Sequence, residues 1–210
     1  MKKFILMVVA VLGFSFAQAQ SVVENYNAAT KAVEAKDYAK AAELFESVIN
    51  EGSEEEDETI AGCVKNAQNN LPVVYTRLGS AAAGAATKAT DVKVKDAKFA
   101  EAIAHLEKAV AKAKSYRNTK AATAANNMIG KVYQVQGGTY FNAGDFAKAI
   151  EVFAKGYSAD KKNTALAMML AESYFKSNNY AEGVKVCSEV AALPSPKYDA
   201  AIAEAKGKMS

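Results

Sequence analysis

Two spacings in this 210-residue chain could activate a nucleophile: Ser158 with Lys161, and Ser173 with Lys176. Ser-x-x-Lys places an amine one helical turn from a hydroxyl, as some acylating enzymes do. The companion Ser-Asp-Asn and Lys-Thr-Gly elements are absent, so neither pair predicts catalysis. His105, the only histidine, lies between Ala102 and Leu106 with no partner motif, and a surface or boundary place is expected for it. The acidic run from Glu54 to Glu58 lacks the alternating Asp/Asn and Gly of a calcium loop. It reads instead as a helix start, where carboxylates suit the helix dipole. Ser53 followed by Glu56 has the spacing of a capping box for that start. No Gly-rich loop ends in Gly-Lys, and no Cys/His cluster has metal-ligand spacing. The expectation is a non-enzyme with no catalytic, cofactor-binding or metal-binding residue.

The elements are helices. Half of the chain is hydrophobic and 23% is charged, ordinary for a packed protein and too apolar for disorder. Alanine occurs 44 times, proline three times and tryptophan not at all. Alanine gives up no rotamer freedom in a helix, so this bias predicts an all-α chain. Two cysteines exclude a disulfide-stapled scaffold, and one histidine excludes a multi-histidine metal site. Cys63 and Cys187 both sit in apolar helical patterns and read as small core residues.

The first residues read as an address. Lys2 and Lys3 precede an uncharged run from Phe4 to Ala17, and Ala17-Gln18-Ala19 fits the small-x-small cleavage rule. Residues 1–19 are thus expected to be a secretory signal peptide cleaved after Ala19. Its type points to a Gram-negative periplasm, with no transmembrane segment in the mature chain. The full chain carries 26 basic and 23 acidic residues. Loss of Lys2 and Lys3 leaves it nearly neutral, which argues against nucleic acid as a partner.

One short pattern recurs four times. It appears as Asp37-Tyr38-Ala39-Lys40-Ala41, Lys98-Phe99-Ala100-Glu101-Ala102, Asp145-Phe146-Ala147-Lys148-Ala149 and Asn179-Tyr180-Ala181-Glu182-Gly183. Four residues past the last small residue stands Phe45, Leu106, Phe153 or Cys187; three further on stands Val48, Ala109, Gly156 or Val190. These spacings share one helix face. Gly137 and Tyr140 correspond to Ala171 and Tyr174 at an offset of 34 residues.

A 34-residue period with these residue types resembles the tetratricopeptide repeat. The third unit offers Tyr133, Gly137, Tyr140, Ala149, Phe153 and Gly156. The fourth offers Leu170, Ala171, Tyr174, Gly183, Cys187 and Val190. The resemblance implies a right-handed superhelical solenoid of about four helix pairs, at roughly 22–50, 72–112, 123–158 and 163–193. A capping helix over 197–208 follows, all within one repeat domain of residues 20–210. The second unit carries about 11 extra residues between Ala82 and Ala102, as a loop or as lengthened helices, and extra residues around Thr119 to Met128 precede the third. Leu71-Pro72 is read as a break or kink in the run, or Pro72 as the first residue of the next helix.

In this family the first helix of each pair lines a concave groove that holds a peptide. The matching positions here are Tyr26, Thr30 and Val33; Thr76 and Ser80; Gln134, Gly138, Phe141 and Asn142; and Met168, Glu172 and Phe175. Phe141 and Phe175 stand one repeat apart outside the family's packing signature, so they are the expected aromatic anchors. The lysine and asparagine pairs that clamp a peptide carboxylate in some members do not occur at the matching positions. The resemblance implies a non-catalytic adaptor of the bacterial envelope that binds a protein or peptide in that groove. The alternative is a structural subunit of an envelope complex, held by the convex face or the edges.

Overall fold

The computed structural model describes residues 20–54, 57–191 and 207. The expected signal peptide and nearly all of the expected capping helix lie outside these residues. Helix α1 occupies residues 20–34. It is followed by α2 (Tyr38–Gly52), α3 (Glu58–Lys88), α4 (Val92–Ser115), α5 (Thr119–Asn142), α6 (Phe146–Ala159), α7 (Thr164–Lys176) and α8 (Tyr180–Ala191). No strand occurs among the described residues, so the fold is all-α.

Four turns use one device. Lys36, Arg117, Gly144 and Asn178 have positive φ, between 57° and 77°. At each, the next residue's N–H reaches back five residues: Asp37 to Ala32, Asn118 to Ala113, Asp145 to Tyr140 and Asn179 to Tyr174. The positive-φ residue's own N–H bonds three residues back. This is a Schellman closure of the preceding helix. Asp37, Asn118 and Asp145 then cap the following helix by accepting from the N–H of Lys40, Ala121 and Lys148. One short polar residue therefore ends one helix and starts the next, which keeps the connection to three residues.

The extra residues of the second pair are helix, not loop. Helices α1, α5 and α7 run five residues past Ala29, Gly137 and Ala171, whereas α3 runs nine past Gly79. Helices α2, α6 and α8 begin seven residues before Phe45, Phe153 and Cys187, whereas α4 begins fourteen before Leu106. The additions come close to one and two whole turns, so the apolar stripe keeps its face. The residues from Thr119 to Met128 likewise lengthen α5 at its start.

Two readings are corrected at α3. Pro72 does not break the chain: α3 runs unbroken through it from Glu58 to Lys88. Proline there removes the N–H that would bond to Gln68, but its side chain is fully buried, and packing offsets part of the loss. The cap is also not Ser53, which ends α2 and donates its hydroxyl to the Ile49 carbonyl. Asp57 caps α3, its carboxylate accepting from the N–H groups of Thr59 and Ile60. Its short side chain sits next to the orphan donors, and only Glu58 falls in the helix's first turn.

The described residues divide into two compact units, one within 1–85 and 100–126, the other within 86–99 and 127–210. In the first, Phe45, Val48, Ile60, Leu71 and Tyr75 form the core, with Tyr26 and Val33 packed on it. In the second, Phe153, Leu166, Leu170, Cys187 and Val190 form the core, and α7 packs on both α6 and α8. Cys187 is buried as expected, whereas Cys63 is only half-buried; both are free thiols, and burial pushes both up from the usual thiol range.

Candidate protein-binding surface

Close backbone approach positions the first-helix faces. In the first unit Gly79 of α3 lies under Leu106 of α4, where a Cβ would fall 2.6 Å from Cγ. In the second unit Gly137 of α5 lies under the Phe153 ring of α6, and Gly183 of α8 lies under the Phe175 ring of α7. Gly156 meets Tyr133 and Leu166 in the same way. Any side chain at these glycines would overlap its neighbour, so small residues are required for the helices to approach this closely.

Three tyrosines tie second helices to their surroundings. Tyr75 donates to Glu46 at 3.1 Å, Tyr157 donates to Glu189 at 3.2 Å, and Tyr140 donates to Asp96. A lysine lies over each ring: Lys108 at 5.6 Å, Lys161 at 4.0 Å and Lys148 at 5.1 Å. Burial, reinforced by the Glu46 carboxylate, pushes the Tyr75 hydroxyl up to about 12. Burial and the facing carboxylates push Tyr140 and Tyr157 up as well. These hydroxyls stay protonated at neutral pH and act as braces.

The residues considered for chemistry are engaged within the fold. Ser173 is buried and donates to the Met169 carbonyl, while Lys161 pairs with Glu189 at 3.5 Å. His105 holds a half-buried boundary position, its ring 6.2 Å from that of Tyr75. Among the described residues no three His, Cys, Asp or Glu side chains are grouped to hold a metal ion. No helix among them is long and apolar enough to cross a membrane.

The expected groove residues divide between the two units. In the first, Thr30 is exposed, and Tyr26 is half-buried with its ring 6.0 Å from Phe45. Thr76 and Ser80 donate to the carbonyls of Pro72 and Thr76 on their own helix. In the second, Asn142 and Glu172 are exposed, while Gln134 and Met168 are half-buried. The expected aromatic anchors are used inside the fold. Phe141 meets Phe146 edge-on at 5.3 Å, and Phe175 stacks on Tyr180 at 6.5 Å while covering Gly183. Both rings therefore take part in packing while remaining half-buried, a role the repeat signature did not assign them.

With the paired small and large positions of α5 to α8 in place, the comparison with known families is direct. Residues 140–208 match the tetratricopeptide repeat family. No curated protein matches the chain. The tetratricopeptide-repeat match opens at Tyr140, near the end of α5, and runs through α6, α7 and α8. Repeats of this family generally mediate contacts between proteins.

Exposed apolar residues on α5 and α7 lie outside the positions expected from the repeat pattern. Val135 and Met169 are 45% and 37% exposed. They stand 34 residues apart, each two positions before the small residue of its first helix. Gly138, one turn from Val135, faces open space. The repeat offset was the signal that could have found the pair. The equivalent positions of the first two helices hold Asn27 and Arg77, both exposed and polar.

Proposed function

We propose that this chain is a non-catalytic adaptor or scaffold that binds a protein or peptide along the first helices of its repeats. The carrying observation is the Val135 and Met169 pair, apolar, exposed and repeated at the 34-residue interval on adjacent first helices. Gln134, Asn142, Met168 and Glu172 supply the polar and sulfur-bearing surroundings on α5 and α7; in the first unit, Tyr26, Thr30, Thr76 and Ser80 hold the matching first-helix positions. Phe141 and Phe175 are half-buried, packed on the core of this unit. Exposed apolar area framed by polar groups is what a recognition surface requires.

The work is done in the bacterial envelope. The support is the leader pattern of Lys2, Lys3, the uncharged run to Ala17 and the small residues at Ala17 and Ala19. The mature chain starts at Gln20, which the mass of the protein purified from an envelope fraction tests directly.

A photo-reactive residue at position 135 or 169, with another on α6 in place of exposed Lys155, tests the binding face. Crosslinks to a common partner from positions 135 and 169 but not 155 are the expected result. Crosslinks from position 155 alone overturn the reading and favour a subunit held by its second helices.

A further inference from the structure

The longest stretch of the chain without an acidic residue opens with cations that play no part in the proposed binding face. Between Lys108 and Gly144 there is no Asp or Glu, and Lys108, Lys112, Lys114, Arg117 and Lys120 fall within its first stretch. These residues belong to the first unit and gather where α4 ends, at the three-residue turn into α5. Glu46 neutralises Lys112 at 3.2 Å, and Lys108 lies over the Tyr75 ring. Lys114, Arg117 and Lys120 are exposed and have no carboxylate within ion-pair distance among the described residues. The helix end explains part of this: cations suit the negative pole of α4. It does not explain Lys120, which stands in the first turn of α5, where the dipole disfavours a cation.

We propose that this turn docks the first unit on an anionic lipid surface. A protein partner would need an apolar or aromatic anchor to supply affinity. The turn offers none: Tyr116 is packed against the core, and the exposed large apolar side chains among the described residues lie elsewhere. A bilayer rich in phosphate headgroups needs no shape match. It attracts each nearby cation separately, and each contributes about a fivefold gain in partitioning. Three exposed cations at one turn, Lys114, Arg117 and Lys120, suit such a surface, and Arg117 adds a planar fork for a phosphate.

Vesicle sedimentation of the full chain tests this, using phosphatidylcholine alone and phosphatidylcholine with about 30 mol % phosphatidylglycerol. The full chain partitions preferentially onto the anionic vesicles. The variant Lys114→Gln/Arg117→Gln/Lys120→Gln, its helical circular dichroism unchanged, loses about 100-fold in that partitioning. Raising the salt to about 0.5 M abolishes the preference. A second variant, Lys31→Gln/Lys40→Gln/Lys65→Gln, removes the same charge from exposed sites elsewhere in the first unit and keeps the preference. Equal binding to both vesicle types, equal loss in both variants, or turn-dependent binding to soluble polyglutamate in place of vesicles would each overturn the proposal.

Discussion

The Phe175 ring on α7 occupies the space into which a side chain at Gly183 on α8 would project. The aromatic ring and the missing side chain are one device: the ring covers the glycine, and the glycine lets α8 approach the ring. Gly183→Ala is therefore expected to destabilise the protein by about 1–3 kcal/mol, the range for overpacking a filled site. Gly84→Ala, in α3 with open space around its Cβ, should stabilise by up to about 1 kcal/mol through helix propensity. Urea unfolding of the two variants reads both signs. Equal destabilisation would show that the close approach at Gly183 has no special cost.

The positive-φ turns make a second paired prediction. Lys36 adopts φ of 61°, a conformation that costs a side-chain-bearing residue about 1 kcal/mol relative to glycine. Lys36→Gly should raise the melting temperature, and Gly144→Ala, at φ of 77° and with nothing near its Cβ, should lower it. Since no neighbour contacts the added methyl, the second change isolates backbone strain from packing.

Alkaline unfolding should expose the tyrosine braces. The folded Tyr75 hydroxyl titrates at about 12 against an unfolded value near 10. The unfolded chain thus releases its proton first. The resulting stabilisation is complete below the unfolded value and is lost as pH rises through the folded one. Tyr75→Phe should therefore flatten the loss of stability between about pH 10 and 12 relative to the parent chain. At neutral pH it should cost about 1–2 kcal/mol, because it leaves Glu46 with one donor fewer.

Replacing Pro72 sets two effects against each other. Alanine restores an N–H in the interior of α3, worth about 3 kcal/mol relative to proline. It also removes two buried methylene groups, at about 0.8 kcal/mol each. The propensity term is larger, so Pro72→Ala should stabilise by about 1 kcal/mol in thermal or urea unfolding. A destabilised variant would mean that the ring's packing against its neighbours outweighs the helix term.

The helical nature of the chain, the 34-residue spacing and the recurrence of small and large positions such as Gly137 and Phe153 were all legible in the residues, because each rests on local periodicity and side-chain size. The same local rules misplaced the start of α3. Ser53 and Glu56 have the spacing of a cap, but Ser53 closes α2 and Asp57 opens α3. A helix boundary depends on which of several nearby polar side chains meets the free N–H groups, and spacing alone does not rank them. Pro72 neither breaks α3 nor opens a new helix, for a related reason. Its cost is local, whereas the burial that offsets it comes from residues distant in the sequence.

The candidate surface shows the same division. From sequence, Phe141 and Phe175 looked available because no repeat rule claims them. The fold claims both, by setting Phe146 and Tyr180 across three-residue turns. Val135 and Met169 looked unremarkable in a chain rich in apolar residues, and only their exposure marks them. Sequence by itself determined the helices, their pairing and the positions that had to be small, since these follow from nearest-neighbour sterics along the chain. Tertiary packing alone decided which apolar side chains are covered and which face water, because burial belongs to the arrangement of helices and not to any residue within one.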